Sequence, residues 1–237
     1  MLKPDGRVIM VSGANRGIGL AIARCLHEKG YTLSLGARES GALEAITNSF
    51  DAQRVMTHTY DAHDAVSNEA WVSATAERFG RIDGLVNNAG RGGHLNIEDD
   101  DEAMFDEMLA VNTKAPMRMI RLVLPHLRRS GNGRILNVVS LSGKRVANDG
   151  TGYAISKFAM MAVNHAARRA AWDDGVRSTA LCPGYVNTDM TANVEEVAAD
   201  DMIQPEDLAE IAAMAIALPN NAVVAEILVN CRFEAML

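Results

Sequence analysis

The sequence predicts a doubly wound α/β fold, one parallel sheet of seven strands covered by helices on both faces. Short β-rich apolar runs alternate with helical patterns of crossover length along the whole chain, and the first run leads directly into a glycine-rich turn. Parallel strands need crossovers of that length, and sheets built from them are covered on both sides. Composition agrees: 48% hydrophobic and 22% charged residues over 237 positions is the balance of a globular chain able to bury a core.

The elements follow in order. RVIMVS (Arg7–Ser12) reads as the first strand, and IGLAIARCLHEKG carries apolar residues at helical spacing and closes on Gly30. YTLSLGA is the second strand and ESGALEAITNSF the second helix. QRVMTHTY and AVSNEAWVSATAERFG form the third pair, and RIDGLVNNAG holds a fourth strand ending at its asparagines. From Asp101 to Arg129 the pattern is helical but interrupted by Pro116 and Pro125, which predicts a kink or a second helix. The acidic run EDDDE (Glu98–Glu102) reads as the start of that helix, where carboxylates favour the positive end of the dipole. GRILNVVS is the fifth strand, Gly152 to about Asp173 a long helix, and VRSTALCPG the sixth strand. QPEDLAEIAAMAIAL, with Pro205 early and acids in its first turn, is the last long helix, and AVVAEILV the seventh strand. No linker, repeat or low-complexity tract interrupts this pattern, so residues 1–237 are expected to form a single domain.

Several function classes are disfavoured. The 23 Lys and Arg against 30 Asp and Glu give a net charge of −7, and without a long basic run no nucleic-acid partner is expected. Cys25, Cys182 and Cys231 are widely spaced and lack a CxxC pattern, so they read as small hydrophobes in a reducing compartment. The six His form neither HExxH nor a Cys/His cluster, and no metal site is expected. The N-terminus lacks a signal-peptide core, and the longest apolar stretch, from Leu208, contains a Glu and is too short for a bilayer. No membrane association is expected, and a cytoplasmic location is.

SGANRGIG places Gly13, Gly17 and Gly19 between the first strand and the first helix. Ligands of such sheets lie outside the carboxyl ends of the strands. Gly13 permits a tight turn, Gly17 lets backbone approach a pyrophosphate, and Gly19 allows close helix–strand packing, while helix N-terminal amides supply an anion site.

With the GxxxGxG spacing of that turn, NNAG at Asn87–Gly90, VN at Val111–Asn112, Ser140, YAISK and PGYVNT occur in one order. In these motifs the chain resembles the short-chain dehydrogenases/reductases, from residue 7 to residue 230. Ser12 departs from the usual threonine but keeps a hydroxyl. The resemblance implies a single Rossmann-type catalytic domain and an NADP(H)-dependent oxidoreductase acting on a small carbonyl/alcohol pair. It also implies roles for individual residues. Asn15, Arg16 and Ile18 would join the three glycines at the cofactor. Asn88, Ala89 and Gly90 would line the adenosine side and steady the central strand, and Asp61 would hydrogen-bond the adenine amino group. Pro183, Gly184, Val186 and Thr188 would flank the nicotinamide.

Chemistry gives the catalytic set distinct tasks. Carbonyl reduction by hydride needs a proton delivered to the developing alkoxide, and oxidation needs the reverse. Free tyrosine, with a pKa near ~10, is a poor base at neutral pH, and an adjacent ammonium favours its phenolate. Lys157 follows Tyr153 by one turn on the same helix face, and the intervening turn-rich segment can return Ser140 beside the helix start. Ser140 would stabilise the substrate oxygen. By the resemblance, Lys157 would also hold the nicotinamide ribose, and Asn112 would organise a water leading from Lys157 to solvent.

Ala37 stands where NAD users of the family carry Asp, and Arg38 follows it, with Arg16 near the same pocket. Two guanidinium groups suit a phosphate, so NADP(H) is the expected cofactor. Ser142, Lys144, Arg145, Arg91, His94 and Tyr185 would border the reacting carbonyl, a partly cationic set that suggests a small polar substrate. The helix AISKFAMMAVNHAARRAA is apolar around more than one face, and with the family's habit this points to a homotetramer or homodimer. Two other readings are a dinucleotide-binding regulator or scaffold without turnover, and the longer epimerase-like branch of the superfamily. The intact Ser–Tyr–Lys set disfavours the first. The absence of residues for a C-terminal substrate domain disfavours the second.

Overall fold

A computed structural model describes residues 1–233; the last four residues of the expected domain lie outside the described ones. Seven strands, β1 (Val8–Ser12), β2 (Thr32–Ala37), β3 (Val55–Thr59), β4 (Gly84–Asn87), β5 (Arg134–Val138), β6 (Arg177–Pro183) and β7 (Glu226–Val229), form one parallel sheet in the order β3-β2-β1-β4-β5-β6-β7. The order reverses between β1 and β4, which places the topological switch point and its crevice at their carboxyl ends. The helices are α1 (Gly17–Glu28), α2 (Ser40–Thr47), α3 (Ala65–Phe79), α4 (Glu102–Leu109), α5 (Ala115–Ser130), α6 (Thr151–Ala170) and α7 (Pro205–Ala217).

Side-chain alternation along β1 splits the core into two layers. Ile9 and Val11 join Leu33 and Leu35 against Ile22 and Leu26 of α1 and Leu208 and Ile216 of α7. Met10, on the other face, joins Leu85 and Ile135 against Trp71 of α3, Met119 and Val123 of α5 and Met160 of α6. Gly36 leaves room for the Trp71 ring, since a side-chain carbon there would lie 2.7 Å from it, and the indole N–H donates to Ser34 Oγ at 2.8 Å.

Four buried polar side chains cross the sheet behind the switch point. Asn87 Nδ2 donates to Asn137 Oδ1 at 2.8 Å, Asn137 Nδ2 to Asn164 Oδ1 at 2.9 Å, and Ser178 Oγ to the same Asn164 oxygen at 2.7 Å. Such a chain is favourable only when its donors are met, and it fixes the register of β4, β5 and β6 relative to α6.

The element expectations hold with two shifts in detail. The interruption between Asp101 and Arg129 is a π-helical turn at Ala110–Lys114, after which α5 begins with Pro116 in its first turn. Pro125 stays inside α5 on the exposed side, where the hydrogen bond it cannot make faces solvent. The last strand covers only Glu226–Val229, because Ala222 N–H closes a turn on Pro219 O. The acidic run does cap α4: Asp101 accepts from Met104 N–H at 2.9 Å, and Glu102 occupies the first turn.

Candidate active site

The glycine turn after β1 is shaped by backbone meeting backbone. Gly13 and Gly17 have φ of +65° and +53°, the region glycine adopts without cost. A side-chain carbon on Gly13 would lie 2.9 Å from Ala89 Cα, and one on Gly19 would strike the Gly13 carbonyl and Asn88 Nδ2. Ser12 Oγ accepts from the amides of Asn88 and Ala89 at 3.0 and 3.1 Å, while Asn88 Nδ2 donates to the carbonyls of Ser12 and Gly13, both at 3.0 Å. The segment after β4 is thereby sewn to the turn after β1. Arg16 precedes α1 in extended conformation without capping it, leaving the first amides of the helix open to an anion. This cradle, with no side chain on Gly13, Gly17 or Gly19, fits a dinucleotide pyrophosphate.

The other expected cofactor residues surround the same crevice. Gly90 lies beside Asn112 and Lys157, since a carbon added there would be 3.5 Å from Asn112 Oδ1 and 3.8 Å from Lys157 Nζ. Pro183 ends β6, Gly184 N–H donates to Val229 O at 2.9 Å, and Thr188 Cγ2 lies 3.2 Å from where a carbon on Gly17 would stand. Val186 is buried and bridges to Ile203. Asp61 Oδ1 accepts His63 N–H at 2.9 Å at the start of the loop before α3. Arg38 and Glu39 are both exposed just past β2. Arg16 and Asn15 lie in the glycine turn itself, Arg16 exposed and Ile18 half-buried in the first turn of α1.

Ser140, Tyr153 and Lys157 converge at the carboxyl end of β5. The Ser140 hydroxyl stands near enough to the Tyr153 phenol to favour its ionised form, and it accepts Ser142 N–H at 3.1 Å, so Ser142 contributes its backbone. From behind, the buried Cys182 thiol of β6 donates to Met161 Sδ of α6 at 3.8 Å. Lys157 Nζ lies 5.5 Å from the Tyr153 ring centre and donates to Val138 O at 3.1 Å. Gly143 presses the turn after Ser140 onto α6, where a side-chain carbon would come within 2.9 Å of Lys157 O. Two of the three thiols, Cys25 and Cys182, are buried, and Cys231 is half-buried.

Burial dominates the electrostatics. It pushes Tyr153 up to about 12, with the Ser140 hydrogen bond pulling the other way. It pushes Lys157 down to about 8. Tyr153 is therefore a neutral phenol at neutral pH and Lys157 is mostly an ammonium. This departs from the expectation that the neighbouring ammonium would govern Tyr153: both groups are desolvated together, and removal from water outweighs their attraction.

Asn112 sits at the centre of the π-helical turn and is 2% exposed. Its side chain clamps Arg91, accepting the amide at 2.8 Å and donating to the carbonyl at 2.9 Å, and it also donates to Ser156 Oγ at 2.9 Å. Ser156 was not singled out from the sequence. Its hydroxyl donates to Tyr153 O at 2.7 Å, and its carbonyl accepts Thr113 Oγ1 at 2.9 Å, so it ties α6 to the π-helical turn. The only signal for it is its place three residues after Tyr153 on the inward face.

At the expected substrate mouth, two cations are engaged elsewhere. Lys144 Nζ pairs with Glu226 at 2.6 Å and Arg91 with Glu107 at 3.0 Å. Arg145 is half-buried, His94 is exposed, and the Tyr185 ring lies 5.3 Å below the Arg232 guanidinium.

The arrangement defines a doubly wound dinucleotide-binding fold with a Ser–Tyr–Lys cluster at its switch point. The sequence profile of the family described as short chain dehydrogenase matches residues 7–199, and the chain belongs to that family of oxidoreductases. It is 43% identical over 232 residues to an agropine synthesis reductase of Rhizobium rhizogenes, covering 97% of this chain and 53% of the relative. The chain thus spans about half the length of the first curated relatives it matches. Among solved structures it is similar to an alcohol dehydrogenase from the archaeon Thermococcus sibiricus complexed with 5-hydroxy-NADP, with a TM-score of 0.86 and 32% identity over 94% of this chain and 95% of that one. It is also similar to a metagenomic short-chain oxidoreductase in complex with NADP, with a TM-score of 0.84 and 30% identity over 98% of this chain and 100% of that one. A nicotinamide dinucleotide is the cofactor class these similarities support.

A buried lysine whose pKa is depressed costs stability while protonated, and the cost fades as pH rises from about 8 towards its ordinary value. Lys157→Met is expected to raise the stability at pH 7 by on the order of 1–3 kcal/mol. The gain should shrink towards pH 10, below the range where the raised Tyr153 begins to titrate. Urea unfolding of both proteins between pH 7 and 10 checks the size and the direction.

Proposed function

We propose that the chain transfers hydride between NADP(H) and a small carbonyl/alcohol substrate, with Tyr153 as the acid/base. The observation that carries this reading is the meeting of Ser140, Tyr153 and Lys157 Nζ at the carboxyl end of β5, beside Gly90 and the glycine cradle. A bound nicotinamide supplies the hydride in reduction and accepts it in oxidation. In reduction Ser140 donates a hydrogen bond to the carbonyl oxygen, and Tyr153 O–H delivers its proton as the carbon takes up hydride, leaving an alcohol and a phenolate. Lys157 stabilises that phenolate as an ammonium and holds the ribose hydroxyls, and a proton from solvent restores the phenol. The high pKa of Tyr153 keeps it in its acid form at neutral pH, the form that carbonyl reduction uses. The name of the agropine synthesis reductase agrees with that direction.

For the 2′-phosphate, Ala37 removes the carboxylate that would repel it, and the exposed Arg38 and Arg16 stand at the end of β2 and in the glycine turn. The NADP in two similar structures supports the same choice. With Lys144 and Arg91 held by carboxylates, the lining gives little reason to prefer an anionic substrate. A second copy of the chain is the fitting cover for Ile155 and Phe158 on α6 and Met117 on α5, all large, apolar and exposed.

Turnover is tested with a panel of carbonyl and alcohol compounds, followed by absorbance of the reduced nicotinamide with both cofactors. Tyr153→Phe removes one hydroxyl. It should leave NADPH binding intact while lowering turnover by ~10²–10⁴-fold, the usual worth of general acid–base catalysis. A fully active Tyr153→Phe protein would sink the mechanism. Arg38→Ala should weaken NADPH roughly tenfold, as expected for a charge-assisted hydrogen bond to phosphate, and leave NADH unchanged; equal or better wild-type turnover with NADH defeats the NADP assignment. Light scattering at micromolar concentration should give a dimer or tetramer, and a monomer there contradicts self-association.

A further inference from the structure

The residues just past the nicotinamide-flanking motif form a strap across the crevice. After Thr188 the chain makes a single 3-10 turn, Asp189–Thr191, whose successive side chains reach opposite walls. Asp189 Oδ2 pairs with Arg16 Nη1 of the glycine turn at 2.8 Å. Met190 packs on the segment after β4, its Cγ 3.4 Å from where a carbon on Gly92 would lie. Thr188 itself approaches Gly17. One turn therefore touches both sides of the switch-point crevice.

The base of the strap is braced by its own hydrogen bonds. Thr188 N–H donates to Thr191 Oγ1 at 3.2 Å, and Thr191 N–H returns to Thr188 O at 3.0 Å. Thr191 Oγ1 also donates to Val186 O. Asn187 N–H donates to Ile203 O at 2.9 Å and Ile203 N–H to Tyr185 O at 3.1 Å, anchoring both ends of the loop to one another. Asp189 is thus presented from a short, internally fixed turn. Arg16 is equally available, because it precedes α1 without a capping bond from its side chain.

We infer that Asp189 is a positioning residue of the dinucleotide site, drawing the Thr188–Thr191 strap onto the glycine turn through Arg16 and holding the crevice closed over a bound dinucleotide. The inference rests on the reading of the crevice as a dinucleotide site. Asp189 engages Arg16 through one nitrogen, and a guanidinium carries five N–H donors, so the same arginine retains donors for a phosphate on its other side. Both side chains are largely exposed, and such a pair adds little to global stability. Its free energy acts instead on the opening that a bound molecule must wait for.

The test is the release rate of NADPH and of NADH from the full chain, followed by stopped-flow fluorescence of the reduced nicotinamide. Asp189→Asn should speed the release of both dinucleotides about threefold to fivefold, the scale of an exposed ion pair, at unchanged melting temperature. Asp189→Glu should restore most of the slow release. NADH has no 2′-phosphate, so a change shared by NADH separates the strap from any contact of Arg16 with phosphate. With NADH, the Arg16→Gln/Asp189→Asn double variant should release no faster than either single variant, as expected when two side chains act through one interaction. Unchanged release of both dinucleotides in Asp189→Asn overturns the inference while leaving the cofactor reading intact. Slower NADPH release in that variant also overturns it, because Asp189 would then compete with the cofactor for Arg16. A wild-type protein that binds neither dinucleotide defeats the cofactor reading and this inference together.

Discussion

The structure depends on one close approach: the turn after β1 lies against the segment after β4 so tightly that a side chain at Gly13 would meet backbone. Gly13 and Gly19 make that approach possible, and the Ser12 and Asn88 side chains hold it with hydrogen bonds in both directions. A larger residue at Gly19 would displace backbone rather than a flexible side-chain tip, so the cost could not be relaxed away locally. Because β1 and β4 flank the switch point, the same contact sets the width of the crevice and the start of α1. Ser140 and Lys157 reach that crevice from β5 and α6, which the buried Asn137–Asn164 bond keeps in register.

A second layer of constraint runs through α6. Ser156 joins this helix to the π-helical turn through Asn112 and Thr113, and Asn112 in turn fixes the Arg91 backbone beside Gly90. An extra residue in a helix normally costs hydrogen bonds; here the widened turn places Asn112 between three backbone segments and is held by them. Helix α4, the turn after β4 and helix α6 consequently cannot shift independently of one another.

Much of this was legible in the sequence. The alternation of strands and helices, the glycine cradle and the meeting of Ser140, Tyr153 and Lys157 follow from patterns that short-range chemistry imposes: alternation, turn residues and a four-residue helical spacing. What the sequence hid depends on partners far apart in the chain. Lys144 looked like a free cation at the mouth, but its partner Glu226 lies on β7. Arg16 looked like a phosphate ligand alone, whereas Asp189 is 173 residues away on the other wall. The π-helical turn was masked by Pro116 and Pro125, which suggested a break from local rules while the real irregularity lay just before them. The balance between burial and charge at Tyr153 was equally inaccessible, because it depends on how far the folded chain withdraws the half-buried residue from water.

That balance bears on what the site does at rest. Bringing Tyr153 from about 12 to neutrality would take roughly five pKa units, or ~7 kcal/mol at ~1.4 kcal/mol each. A single ammonium, 5.5 Å from the ring centre, offers on the order of 3 kcal/mol at an effective dielectric constant near ~20, or about two units. Lys157 alone therefore leaves Tyr153 a phenol, and its own pKa near 8 weakens its help above that pH. For the tyrosine to act as a base, a second positive charge must stand close to it; for it to act as an acid, none is needed. Burial thus sets the charge state of the pair: it favours the neutral phenol, and a further positive charge close to Tyr153 would favour the phenolate.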